Sequence, residues 1–194
     1  AVSGKIAVAT FPFNFTGQIS QTIIDLIESA AAAGAVAMVA ISEGPSGHIT
    51  VMNPIDDRAA WPIPVVLVGP QHTPQLLAAL KSGAKTTLQL EGQNVPDAPS
   101  VNVIGRHIQD ENAPWIVIST PYSGWFRCSG ERGPGISIWR GLCRWVAARR
   151  RLPLTVQPPL NYLFVATSGH ELGGLGMDAF LRDLAPTPES VKLW

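Results

Sequence analysis

The chain has 194 residues, 46% of them hydrophobic and 14% charged, which supplies core for one large domain or two small ones. Fourteen Lys and Arg balance fourteen Asp and Glu, and this neutrality argues against nucleic acid as the main partner. The longest apolar stretch, 30–41, is broken by Gly34 and too short to span a bilayer.

In chain order, residues 4–10 read as a strand and 11–17 as an aromatic loop around Pro12. Ser20 stands ready to cap a helix in which Ile23, Ile24, Leu26 and Ile27 recur at helical spacing. An alanine run carries that helix to Gly34, a natural stop. Residues 36–41 predict a buried strand, 43–47 a turn, and the loop continues to about Trp61. A strand at 64–69, a helix at 73–82 opened by Thr-Pro and a strand at 86–90 follow. The aromatics Phe11, Phe13, Phe15 and Trp61 are either packing residues or an apolar recognition surface.

Residues 93–99 form a polar, Pro-containing linker. Beyond it lie Val101-Asn-Val-Ile-Gly105, an apolar strand at 113–120, and a helix at 136–151 with Ile138, Leu142, Trp145 and Val146 at helical spacing. A loop at 153–159 leads to a strand at 160–167, and another helix begins near Leu172. Strands alternating with helices predict an α/β protein with a mixed or parallel sheet. Residues 189–194 read as a helix, with Leu193 and Trp194 in need of a packing partner. Arg149, Arg150 and Arg151 suit a helix C-terminus; an anion-binding patch is the alternative. Cys128 and Cys143 lack zinc-type spacing and are expected to be free thiols, although a pair remains open. No signal peptide is visible. The first residue is not Met, which suggests a processed chain or a fragment.

Three segments carry family resemblances. Gly-Lys-Ile-Ala-Val at 4–8, the helix ending in Ala-Gly-Ala-Val-Ala-Met-Val at 33–39, and Ile-Pro-Val-Val-Leu-Val-Gly at 63–69 resemble a protease-associated domain. The likeness covers residues 1–92. Such domains are usually non-catalytic lids or recognition modules of peptidases, which implies a peptide or protein partner and an extracytoplasmic or secreted setting. Residues 100–194 resemble part of a co-catalytic zinc aminopeptidase domain, from the family that also holds glutamate carboxypeptidase and the transferrin receptor. The fold class implied is a protease-associated domain of strands and helices plus part of a mixed-sheet, zinc-peptidase-like α/β domain.

The second resemblance rests on Phe164-Val-Ala-Thr-Ser-Gly-His-Glu-Leu-Gly-Gly-Leu-Gly176. An apolar strand here delivers polar side chains at its carboxyl end, where α/β folds place their sites. The family has two adjacent glutamates at this point, a general base and then a zinc ligand. This chain has His170 at the base position and Glu171 at the ligand position. A His can serve as a base near neutral pH. The plainer alternative is a helix start favoured by Glu171. The family's His-x-Asp pair falls on Pro121 and Ser123, with Tyr122 between them. Proline has no ligand atom and a serine hydroxyl is a poor zinc ligand. The family's bridging Asp falls on Glu131, next to Arg132. That pair reads first as a surface Arg–Glu turn, and second as a metal ligand beside a competing cation.

The resemblance implies His170 at the base position, Glu131 and Glu171 at metal positions, and Tyr122, Ser123 and Arg132 lining a cleft. It implies a degenerate peptidase relative acting as a binding or scaffold module, with no cofactor. The alternative is a fragment of an active metal-dependent peptidase or amidohydrolase, with zinc as cofactor and the remaining ligands in a region beyond this chain.

Overall fold

The computed structural model describes residues 2–53, 60–93, 95, 97–149 and 159–194. They fall into two compact units, Ala1–Pro96 and Asp97–Trp194. No helix among the described residues is long and apolar enough to cross a membrane.

The first unit is built on a parallel sheet of three strands in the order β1 (Ile6–Phe11), β2 (Ala37–Ser42), β3 (Val65–Val68). Parallel neighbours need a crossover, and helix α1 (Gln21–Ala32) supplies it between β1 and β2. Its apolar spacing puts Ile23, Ile24 and Ile27 inside, where Ile23 and Ile27 join Phe11, Met38, Ala40 and Ile63 in one core. Gly34 ends the helix turn at φ 85°, a conformation that costs glycine little. Ser20 occupies the cap position, but its hydroxyl makes no capping bond and is buried without a partner; its carbonyl accepts from the Ile23 and Ile24 amides instead. Phe11 is core, whereas Phe15 is 93% exposed and stacks edge-on with Phe13. Helix α2 (Thr73–Lys81) follows β3. The strand expected at 86–90 does not form: the segment has no regular structure and is mostly exposed. Among the described residues no strand pairs with it, and propensity alone does not make a strand. Of the loop expected to reach Trp61, residues 54–59 lie outside the described residues.

The second unit has a mixed four-stranded sheet, in the order β4 (Val103–His107), β6 (Asn161–Thr167), β5 (Trp115–Pro121), β7 (Val191–Leu193). β4 runs antiparallel to β6; β5 is parallel to both β6 and β7. Helix α3 (Gly133–Arg149) lies between β5 and β6 in the chain, and α4 (Leu175–Asp183) between β6 and β7. The core gathers Val117, Leu163, Val165 and Phe180. The fully buried Asn161 is satisfied on every side: its amide donates to the carbonyls of Asp110 and Ala113, and its oxygen accepts from the Gln109 amide.

Helix α3 starts at Gly133, three residues earlier than the apolar spacing suggests, and the end of that expected helix and most of the 153–159 loop fall outside the described residues. The helix expected at Leu172 begins instead at Leu175, after a single 3₁₀ turn over His170–Leu172. The terminal residues are a strand rather than a helix: Pro188–Ser190 makes one 3₁₀ turn, then Val191–Leu193 pairs with β5. Pro188 opens the turn, and the β-branched Val191 suits the ladder that β5 offers. Trp194 meets Phe180 edge-on and donates to the Ser119 hydroxyl.

Candidate functional site

Because β5 and β6 are parallel, with Pro121 opposite Thr167, their carboxyl ends emerge side by side. The pairing runs one step further, from the Tyr122 amide to the Thr167 carbonyl at 2.9 Å. Beyond this point both chains turn away. After β6, Gly169, Gly173 and Gly174 adopt φ of 65°, 77° and 83°, conformations strained for residues with a Cβ. These turns carry His170 and Glu171 back over the strand ends.

Asn102 holds the bend. Its side-chain oxygen accepts from the Ser168 amide and its amide donates to the Gly176 carbonyl at 2.7 Å. Only glycine fits at 176, since a Cβ would lie 2.5 Å from both the Asn102 oxygen and the Ser168 carbonyl.

Side chains from three segments meet at Glu171, which is buried. Arg132, from the turn before α3, donates to Glu171 Oε1 at 2.6 Å. Ser123 donates its hydroxyl to Glu171 Oε2 at 2.9 Å and accepts from the His170 backbone amide at 3.1 Å. The same arginine donates through Nε to the Ser123 carbonyl at 2.8 Å and pairs with Glu131 at 2.8 Å. Arg132 and Glu171 side chains are only 11% and 10% exposed, whereas Glu131 is 57% exposed. Burial pushes the Glu171 carboxyl up, but the hydrogen bonds from Arg132 and Ser123, with the guanidinium charge, outweigh it and hold the group below its ordinary range.

The other expected site residues are placed as follows. The Tyr122 phenol donates to the Val101 carbonyl. His170 is exposed on the 3₁₀ turn and meets the cluster through its backbone amide. Glu131 sits at the rim between Arg132 and Cys128, whose thiol donates to it at 3.2 Å. Burial, that hydrogen bond and the neighbouring carboxylates push the Cys128 thiol up. Cys128 and Cys143 are both free. Phe126 and Cys128 take φ of 53° and 48°, unusual for side chains with a Cβ.

Sequence reasoning missed Asn102 and Gly176 as the residues that hold the bend. Both lie inside the quoted motifs, and a glycine two residues into a helix was the available signal for close backbone approach.

These residues do not fit a zinc ion as they stand. Both oxygens of Glu171 are engaged, and the cation facing them is a guanidinium. Among the described residues no group of three or more His, Cys, Asp or Glu is placed to hold a metal. Chemically, the cluster is a satisfied, buried ion pair that clasps two strand ends to the start of α3.

No family model matches the chain, and no curated protein matches it. Among solved structures it is similar to BSAP, a zinc aminopeptidase from Bacillus subtilis, at 18% identity over 95% of this chain, with TM-scores of 0.59 and 0.60 in two structures. It is also similar to an aminopeptidase from Aneurinibacillus sp. strain AM-1, at 20% identity over 95% of this chain and a TM-score of 0.54. The chain spans 41% and 42% of the length of those proteins. At such identity the likeness speaks to fold alone, and the fold of this chain is a zinc-peptidase-like α/β fold.

Proposed function

We propose that this chain is a degenerate peptidase relative that binds or scaffolds without catalysing. Residues 1–92 are its protease-associated part and 100–194 the altered aminopeptidase-like part. One observation carries this reading: Glu171, at the strand-end position expected of a metal ligand, is saturated by Arg132 and Ser123. A carboxylate so engaged is a poor ligand and a poor base, because either role would first break a buried ion pair. The partner in this reading is a peptide or protein, held by the protease-associated part or by the strand-end surface near Tyr122, Glu131 and His170. An extracytoplasmic setting suits such a module.

A second reading has a specific observation behind it. The two solved aminopeptidases named above are each more than twice as long as this chain. On that reading this is a piece of an active metal-dependent peptidase, whose remaining ligands lie in further chain. His170 would then act as base, and Arg132 would withdraw to release Glu171 and Glu131.

Zinc content per chain, measured after purification without chelator and again after zinc is offered, separates the two. The first reading expects background zinc and no change of Tm with zinc or chelator, in folded protein that cleaves no aminoacyl test substrate. One or two tightly held ions per chain would overturn it in favour of the second.

A further inference from the structure

Helix α3 presents its own unused surface. Its inner side is fixed by the buried Val146 and by Trp139, whose indole donates to the Ile118 carbonyl. At roughly 3.6 residues per turn, the outward side is centred near Gly141, with Ile138 and Trp145 along one flank and Arg140 and Arg144 along the other. Ile138 is 64% exposed and Trp145 49% exposed. The Arg149 guanidinium lies over the Trp145 ring, 4.6 Å from its centre.

The charge on this face is unbalanced. Residues 133–149 contain no Asp or Glu, and residues 101–194 carry ten Lys and Arg against seven acids. Among the described residues neither Arg140 nor Arg144 has a carboxylate partner. At Gly141 an added Cβ would meet open space, so another backbone can come close there.

We infer that the outer face of α3 docks an acidic amphipathic polypeptide segment. Its carboxylates pair with Arg140 and Arg144, and its apolar side chains cover Ile138 and Trp145. Guanidinium groups four residues apart on one face match carboxylates at the same spacing and can hold them bidentately. An aromatic with an arginine stacked on it is the type of anchor that binding surfaces favour. A lipid surface fits less well, because two large apolar side chains are little to insert into a bilayer. The inference extends the binding-module reading to a surface outside the Glu171 cluster, so either can fail alone.

The test uses the full chain and a labelled amphipathic helical peptide with Glu at i, i+4 spacing and Leu on the adjoining face. Its controls are the same peptide with Gln for Glu, and phosphatidylserine vesicles. Fluorescence anisotropy should report salt-sensitive binding of the Glu peptide and little of either control. Arg140→Gln with Arg144→Gln should weaken it about tenfold, the loss of roughly 1.4 kcal/mol. Gly141→Leu removes no charge and improves helix propensity, so it should keep the fold while blocking close approach, and should weaken binding to a similar degree. Absent peptide binding, binding unmoved by the arginine pair, or vesicle binding without peptide binding would each overturn the inference. Loss with the arginine pair but not with Gly141→Leu would overturn it too, leaving only diffuse charge attraction.

Discussion

Arg132 and Glu171 are far more consequential together than apart. Removing one partner of a buried pair strands the other charge, which typically costs several kcal/mol, whereas replacing both by apolar groups can be nearly neutral. Arg132→Ala should therefore destabilise the second unit by about 3 kcal/mol, and Arg132→Met combined with Glu171→Leu should recover most of that in urea unfolding. The pair also sets an acid limit. Glu171 is held below the ordinary carboxylate value of 4.5, so its stabilising contribution is fully present above that value and drains away as pH falls through the lower, folded one. Glu171→Gln should flatten stability against pH below about 4.5, and an unchanged acid limb would refute this. From sequence the position of Glu171 was legible, because a polar pair after an apolar strand and before glycines is a strand-end signature. Its partner was not. Arg132 was read beside Glu131, its chain neighbour, while the closer and more buried contact reaches across 39 residues to Glu171.

Among the elements, those with strong internal periodicity came out of the sequence well. Strands β2 and β6 are buried almost throughout, and α1 buries Ile23, Ile24 and Ile27 of the four residues its spacing marks, leaving Leu26 at the surface. Segments whose state depends on a distant partner did not. Residues 86–90 have strand composition but pair with no strand among the described residues, whereas 191–193 look like the end of a helix and become β7 because β5 offers a free edge. The junction of β6 with α4 is closely built. Gly176→Ala would push a methyl to within 2.5 Å of the Asn102 oxygen and the Ser168 carbonyl, both of which are already engaged in hydrogen bonds. A loss of about 1–3 kcal/mol is expected, measurable as a lowered urea midpoint. Asn102→Ala should act in the same direction by leaving the Ser168 amide and Gly176 carbonyl unpaired.

At the scale of the whole molecule, the chain joins a parallel three-stranded unit to a mixed four-stranded one. Its α/β class was legible from alternating elements, and the likeness to zinc aminopeptidases of known structure agrees with that fold class. The clasp at Glu171 also has a kinetic meaning. Its two charged ends are far apart in sequence and meet only after β5 and β6 have paired through a long crossover, an intrinsically slow kind of contact to make. A contact made after the folding barrier acts on unfolding alone. Weakening it should leave the refolding rate nearly unchanged and speed unfolding, so that Arg132→Ala steepens the loss of native protein with time rather than delaying its formation. Stopped-flow refolding and unfolding of that variant would show the asymmetry directly: slowed refolding would refute it, and unchanged refolding with faster unfolding would make this ion pair a brake on opening, its worth counted in the lifetime of the folded chain.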